Sequence, residues 1–272
     1  MGASRDGIRV AVVDSGVNYM LSELNSRLAR SSDGIVMGYD FWDLDELPFD
    51  YIPIPSPFFP SHHGTKIASV IIQSSPEVVI LPYRYPRFEM SRMKALVGHI
   101  ANNGARIVNV SLASADLDSW SVFGSAIEMH PDILFVLAAG NDDRDIDRHP
   151  VYPVAFPSDN TVVVTGGTTA GYLAPGANWG MKSVDLLVSS NSVQVLDFDG
   201  RKKWVSGSSY AAARVSGLAA CLLANKPELD VVALRQELFG RANRINGGHL
   251  VRYGFLQETE FSGGQRCGTA LQ

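Results

Sequence analysis

Ile8-Arg-Val-Ala-Val-Val-Asp-Ser-Gly-Val17 is the first regular stretch of the chain, and its reading decides the fold class. From Val10 to Val13 the apolar residues run without alternation, so the segment reads as a strand covered on both faces. It stops at Asp14, and Gly16 supplies a turn. Runs of the same kind recur at Val78–Leu81, Ile107–Val110, Ile133–Ala139 and Val162–Thr165. Between and after them lie stretches with helical patterning, at 64–73, 91–103, 119–130, 209–224 and 231–240. Short buried strands alternating with helices predict an α/β fold: three layers, with a mostly parallel sheet carrying helices on both faces. Sites in such folds gather at the carboxyl ends of the strands.

The 272 residues are read as one domain. Residues 48–60 break the rhythm with five prolines and interleaved aromatics, which predicts an extended loop leading toward His63. Residues 257–272 read as an irregular tail. With 46% hydrophobic and 19% charged residues the composition is that of a globular chain, not a disordered one. A formal net charge of −5 gives no electrostatic reason for a nucleic-acid partner. No apolar run reaches the roughly 20 residues of a membrane span, and Met1–Asp6 carry no apolar stretch of a signal peptide. Two cysteines make no disulfide framework and no metal cluster. Cys221, in an Ala/Leu-rich run, reads as a small buried hydrophobe, and Cys267 as a free thiol in a Gly-rich tail; a bridge between them is the less favoured alternative.

Three segments carry chemistry only when taken together. Asp14 ends a strand, but alone it is an ordinary turn residue. His63, in His62-His-Gly-Thr65, opens a helix, but alone it is a capping or surface histidine. The doubled histidine also raises a metal reading, which adjacent side chains facing different ways and the lack of nearby ligand spacing do not favour. Gly207-Ser-Ser-Tyr-Ala211 opens an Ala-rich helix, where one serine caps and the other faces a cleft. Helix amides there favour a developing negative charge.

In this combination the sequence resembles the subtilisin-like serine proteases. Their Asp-Ser-Gly, His-Gly-Thr and Gly-Thr-Ser-x-Ala signatures stand here as Asp14-Ser-Gly16, His63-Gly-Thr65 and Gly207-Ser-Ser-Tyr-Ala211. The order Asp, His, Ser is that of subtilisin itself. Leu137-Ala-Ala-Gly-Asn141, Asn109-Val-Ser-Leu112, Tyr152-Pro-Val-Ala-Phe-Pro-Ser158 and Gly38-Tyr-Asp-Phe41 extend the likeness from about Ile8 to about Leu256. The resemblance implies a subtilisin-like fold and a serine endopeptidase working through an acyl-enzyme. In it Ser209 is the nucleophile, His63 the general base, Asp14 the group that orients the imidazole, and Asn141 an oxyanion donor. It also places Ser111, Leu112, Ala113, Ser114 and Val151 around the residue before the scissile bond, and makes the Tyr152–Pro153 bond cis.

Departures refine the expectation. Ser208 stands for threonine, Ala213 for proline, and Lys66 for a frequent histidine; none removes a catalytic atom. Ala113 and Ser114 replace glycines on the pocket wall, and Val151 falls at a position that often lines the pocket floor, which predicts a preference for small or medium apolar residues there. The connection Ser74-Ser-Pro-Glu77 is too short for the calcium loop that secreted relatives often carry, so no cofactor and no structural metal are expected. Asp43, Asp45 and Asp50 read as a solvated acidic loop, with weak cation binding as the alternative. Expected partners are a protein or peptide substrate and an inhibitory pro-segment or inhibitor. Both a secreted mature form and an intracellular enzyme fit the sequence. Two other readings carry less: a silent binding protein on the same fold, and a lipase-like hydrolase, whose histidine would follow the serine.

Overall fold

The structure is a computed structural model and describes residues 7–51, 61–85, 90–156, 158–243 and 250–261. In chain order its elements are β1 (Ile8–Asp14), α1 (Ser22–Asn25), β2 (Tyr39–Asp40), α2 (His63–Ser74), β3 (Val78–Arg84), α3 (Met93–Asn102), β4 (Ile107–Val110), α4 (Leu117–Glu128), β5 (Leu134–Ala138), β6 (Thr161–Gly167), β7 (Leu186–Ser189), β8 (Asn191–Leu196), β9 (Lys202–Ser206), α5 (Ser208–Asn225), α6 (Val231–Gly240) and β10 (Gly254–Leu256). Eight strands form one sheet in the order β10-β7-β6-β5-β4-β1-β3-β2, and every pairing in it is parallel.

Alternation across β1 shows why both faces need covering. Val10 and Val12 enter one core with Ile67 and Ile71 of α2 and Ala212 and Val215 of α5. Ala11 and Val13 enter the other with Leu96 and Ile100 of α3 and Phe123 and Ile127 of α4. The predicted three-layer α/β arrangement is the one observed. Helix α5 is buried along nearly its whole length. Its alanines and Gly217 let it lie close to α2: a Cβ on Gly217 would stand 2.4 Å from Cβ of Ser74 and 2.9 Å from the Ile71 carbonyl oxygen.

Strand β1 sits between β3 and β4, so the chain changes direction across the sheet at this strand. The crevice at such a switch point, at the strands' carboxyl ends, is where α/β sheets bind ligands. Asp14 ends β1, Ser111 follows β4, and Asn141 lies three residues beyond β5.

Several expectations change. Cys221 is disulfide-bonded, not a plain buried thiol; Cys267 lies outside the described residues. The stretch 257–261 is no irregular tail. It forms a 3-10 turn at Glu258–Glu260 and buries Phe261. Residues 262–272, and 52–60 of the proline-rich segment, lie outside the described residues. The Tyr152–Pro153 bond is cis. Among the described residues no helix is long and apolar enough to cross a membrane.

Glu258 fixes this C-terminal turn to the centre of the fold. Arg214 of α5 donates from Nη2 to its Oε1 at 2.7 Å and from Nη1 to its Oε2, and Ser189 Oγ donates to Oε2 at 2.7 Å. Burial alone would raise the carboxyl's pKa, but the bonds from Arg214 and Ser189 outweigh it, and the pKa lies below the usual glutamate value. A lowered folded-state pKa contributes stability above the unfolded value, and that contribution disappears as pH falls through the folded value. Glu258→Gln is therefore expected to melt lower than the parent chain at neutral pH. The gap should close as pH falls from about 5 toward 3, spanning the ordinary glutamate pKa. Thermal melts across that range check it; a gap independent of pH would show that the carboxylate charge is immaterial.

Candidate active site

His63 is the first residue of α2 and follows His62, which has left-handed backbone (φ 54°). That sharp entry turns the His63 imidazole onto the end of β1. Its Nδ1 lies 2.8 Å from Asp14 Oδ2 and 3.0 Å from Oδ1. Both side chains are almost fully buried. The Ser15 N–H donates to Asp14 Oδ1 at 2.8 Å, which fixes the carboxylate plane. Nδ1 thus faces the carboxylate, Nε2 lies on the other side of the ring, and His63 lines the cleft.

Contact this close requires two backbones to touch. A Cβ on Gly64 would stand 2.2 Å from the Gly16 carbonyl oxygen and 3.1 Å from Cβ of Asp14. The glycine of the His-Gly-Thr motif is thus a steric condition for the Asp14–His63 pair.

The two serines at the start of α5 have separate tasks. Ser208 is fully buried, its Oγ accepts from the Gly140 N–H at 3.2 Å, and its own N–H donates to Asn141 Oδ1 at 2.9 Å. The expectation that one serine caps the helix fails: the N-cap is Gly207, and no side chain caps there. Ser209 is half-buried and lines the cleft with His63, Gly140 and Asn141. Asn141 Oδ1 is held by the Ser208 N–H, and the residue lines the cleft.

Ser111, Ala113, Ser114 and Val151 also line this cleft, which encloses about 450 Å³. Leu112 does not; it is buried in the α3/α4-side core, since its side chain follows the alternation of the extended backbone to the other face. The two walls are bonded together. Ser114 N–H donates to the Tyr152 carbonyl at 3.0 Å, and Tyr152 N–H to that of Ser114 at 2.7 Å. Trp120 Nε1 donates to Ser114 Oγ at 2.9 Å.

Some lining residues carry no sequence signal. Asp142 and Arg144 face each other across 3.6 Å at the cleft wall, and Tyr210 packs its ring 5.8 Å from that of His63. Burial, then the nearby Asp14 charge, raises the Tyr210 phenol, so it stays protonated. Asn178, fully buried, braces the loop that bears Asn141. Its Nδ2 donates to the Ala139 carbonyl at 2.8 Å, and its Oδ1 accepts from the N–H groups of Asp142 at 2.9 Å and Arg144 at 3.2 Å. Lys66 serves the histidine helix by pairing with Asp197 at 3.3 Å.

The acidic loop is corrected in part. Asp43 pairs with the buried Arg84 at 2.6 Å, but Asp50 is not solvated: it is 0% exposed. Among the described residues no group of three or more His, Cys, Asp or Glu side chains is placed to hold a metal ion.

The subtilase family model matches residues 5–255. The chain belongs to the subtilase family. It is 25% identical to the thermophilic serine proteinase of Bacillus sp. (strain AK1), over 91% of this chain and 60% of that protein. It is 29% identical to alkaline serine exoprotease A of Vibrio alginolyticus, over 87% of this chain and 42% of that protein. The chain thus spans less than two thirds of the length of these relatives. The crystal structure of a cold-adapted subtilisin-like serine proteinase superposes with a TM-score of 0.75 at 26% identity, covering 94% of this chain and 91% of that one.

Proposed function

We propose that this subtilase is a serine endopeptidase that hydrolyses peptide bonds through Ser209, His63 and Asp14. One observation carries the reading: the buried Asp14–His63 pair at 2.8 Å opens on the cleft that Ser209 and Asn141 also line. A serine hydroxyl is a poor nucleophile at neutral pH and needs a base during attack. His63 Nε2 takes the Ser209 proton as Oγ bonds to the peptide carbonyl carbon, and then gives it to the leaving amine. Asp14 holds the tautomer with Nδ1 protonated and stabilises the imidazolium. The negative charge on the carbonyl oxygen is met by Asn141 Nδ2 and the Ser209 N–H at the start of α5. Water then hydrolyses the acyl-enzyme by the same steps.

The substrate is a protein or peptide laid across the cleft, and an inhibitory pro-segment or inhibitor would occupy the same groove. The net charge of −5 supports no nucleic-acid partner. Ser111, Ala113, Ser114 and buried Val151 form the pocket for the residue before the scissile bond. The Ser114–Tyr152 bonds keep that pocket narrow, favouring small or medium apolar residues.

The connection from α2 to β3 comprises only Ser75, Pro76 and Glu77. It supports a chain that needs no calcium at that place.

Labelling with a fluorophosphonate probe and peptide mapping is expected to place the adduct on Ser209 and to lose it in His63→Ala. An adduct on Ser208 would overturn the assignment, and none in a folded sample would favour a catalytically silent binding protein. A peptide-library profile should favour Ala, Val or Leu before the cleaved bond; dominance of Phe or Tyr would refute the pocket reading. Melting midpoints with and without chelator should coincide, whereas a drop of many degrees would reveal a structural cation.

A further inference from the structure

We propose that Asp50 is a positioning residue for the Asp14–His63 pair, a buried carboxylate that clamps the turn bearing Asp14 to the helix bearing His63. The inference rests on the peptidase reading above. Asp50 Oδ1 accepts from Ser15 Oγ at 2.8 Å. Its Oδ2 accepts from the Thr65 N–H at 3.0 Å and from the Thr65 hydroxyl. Ser15 is one residue after Asp14, and Thr65 two after His63.

The direction of each proton follows from the remaining bonds. Ser15 Oγ accepts from the Gly64 N–H at 2.9 Å, and Thr65 Oγ1 accepts from the Asn18 N–H at 3.0 Å. Each hydroxyl accepts from a main-chain N–H and turns its own hydrogen to Asp50. Asp50 is thus the common acceptor of three donors drawn from both sides of the pair. It also meets a need of α2, whose entry residue His62 supplies no side-chain cap. The Thr65 N–H is one of the unpaired amides of a helix N-terminus, and Asp50 takes it from a distant part of the chain.

The main chain of Asp50 is held as well. His62 Nδ1 lies 3.0 Å from its carbonyl oxygen, and its N–H donates to the Val17 carbonyl at 3.4 Å. Burial first, and the nearby Asp14 charge besides, raise its pKa against the pull of its hydrogen bonds. The fold keeps an electrostatically costly group where only a carboxylate's two acceptors reach both sides. An asparagine of the same shape keeps one acceptor and turns an N–H₂ group on the donors of one of the two sides.

The test compares Asp50→Asn, Thr65→Val, Ser15→Ala and Asp50→Asn/Thr65→Val in steady-state peptide hydrolysis, fluorophosphonate labelling rate and thermal melts. A small displacement of the base costs on the order of 100-fold in rate. A kcat loss of that order is expected for Asp50→Asn, with KM within about threefold and labelling slowed in parallel. Thr65→Val should lose less, and the double variant no more than Asp50→Asn, because the two act through one network. Wild-type kcat in folded Asp50→Asn, a loss confined to KM, or multiplicative losses in the double variant would overturn the proposal. If Asp50→Asn does not fold, Thr65→Val and Ser15→Ala decide: a kcat-only loss supports the clamp and wild-type kcat refutes it. An unlabelled parent chain sinks the peptidase reading and this one with it. A labelled parent with unimpaired variants sinks the clamp alone.

Discussion

The site depends on one backbone contact, the seating of the first turn of α2 on the turn after β1. There is no room between Gly64 and the Gly16 carbonyl oxygen for even a methyl group. Only this approach lets a short aspartate side chain, fixed at a strand end, reach an imidazole at a helix start. Strand β1 cannot shift to relieve the contact, because it is bonded to β3 on one side and β4 on the other. The sheet therefore acts as an anvil: rigid neighbours set where Asp14 ends, and α2 is pressed onto it.

Ser209 arrives by a different route. Helix α5 is buried on nearly every side, and its small residues allow it to run through the α2-side core. Its start is fixed not by a capping side chain but by Ser208, which links the loop after β5 to the helix through Gly140 and Asn141. The buried neighbour thus places the half-buried serine and holds the Asn141 amide at the same time. Two adjacent serines of equal appearance in sequence are separated by which one the helix turns inward.

The central strands and most helices were legible in the sequence, because an unbroken apolar run has one stable fate in an α/β sheet. Ile107–Val110 and Val231–Gly240 coincide with β4 and α6. The places of Asp14 at a strand end and of His63 and Ser209 at helix starts were legible too, since the motifs mark such ends. Peripheral strands were not. Tyr39–Asp40 and Gly254–Leu256 are too short for any periodicity to develop. The β8–β9 hairpin did carry a signal, with Val193 and Val195 alternating with polar residues and Asp199-Gly200 at the turn. Leu112 was misplaced because a motif names a segment without saying which face each side chain takes. Asp50 was misread because its neighbours are acidic and proline-rich, while its partners Ser15 and Thr65 lie 35 and 15 residues away. Burial of a charge is decided by such distant donors, which local composition does not report.

A pattern runs through what was missed. Asp50 braces the β1 turn and α2, Asn178 the loop bearing Asn141, and Glu258 the helix bearing Ser209 through Arg214. None of the three lies in a catalytic motif. Each is a polar group from a distant segment that meets main-chain N–H groups or a buried cation. Removing such a group strands its partners without water, at a cost above that of a typical exposed hydrogen bond. On the proposed reading the motifs supply the reacting atoms, while polar contacts made from outside the motifs brace the segments that carry them. A relative could therefore keep all three signatures and still lose reactivity through these distant positions.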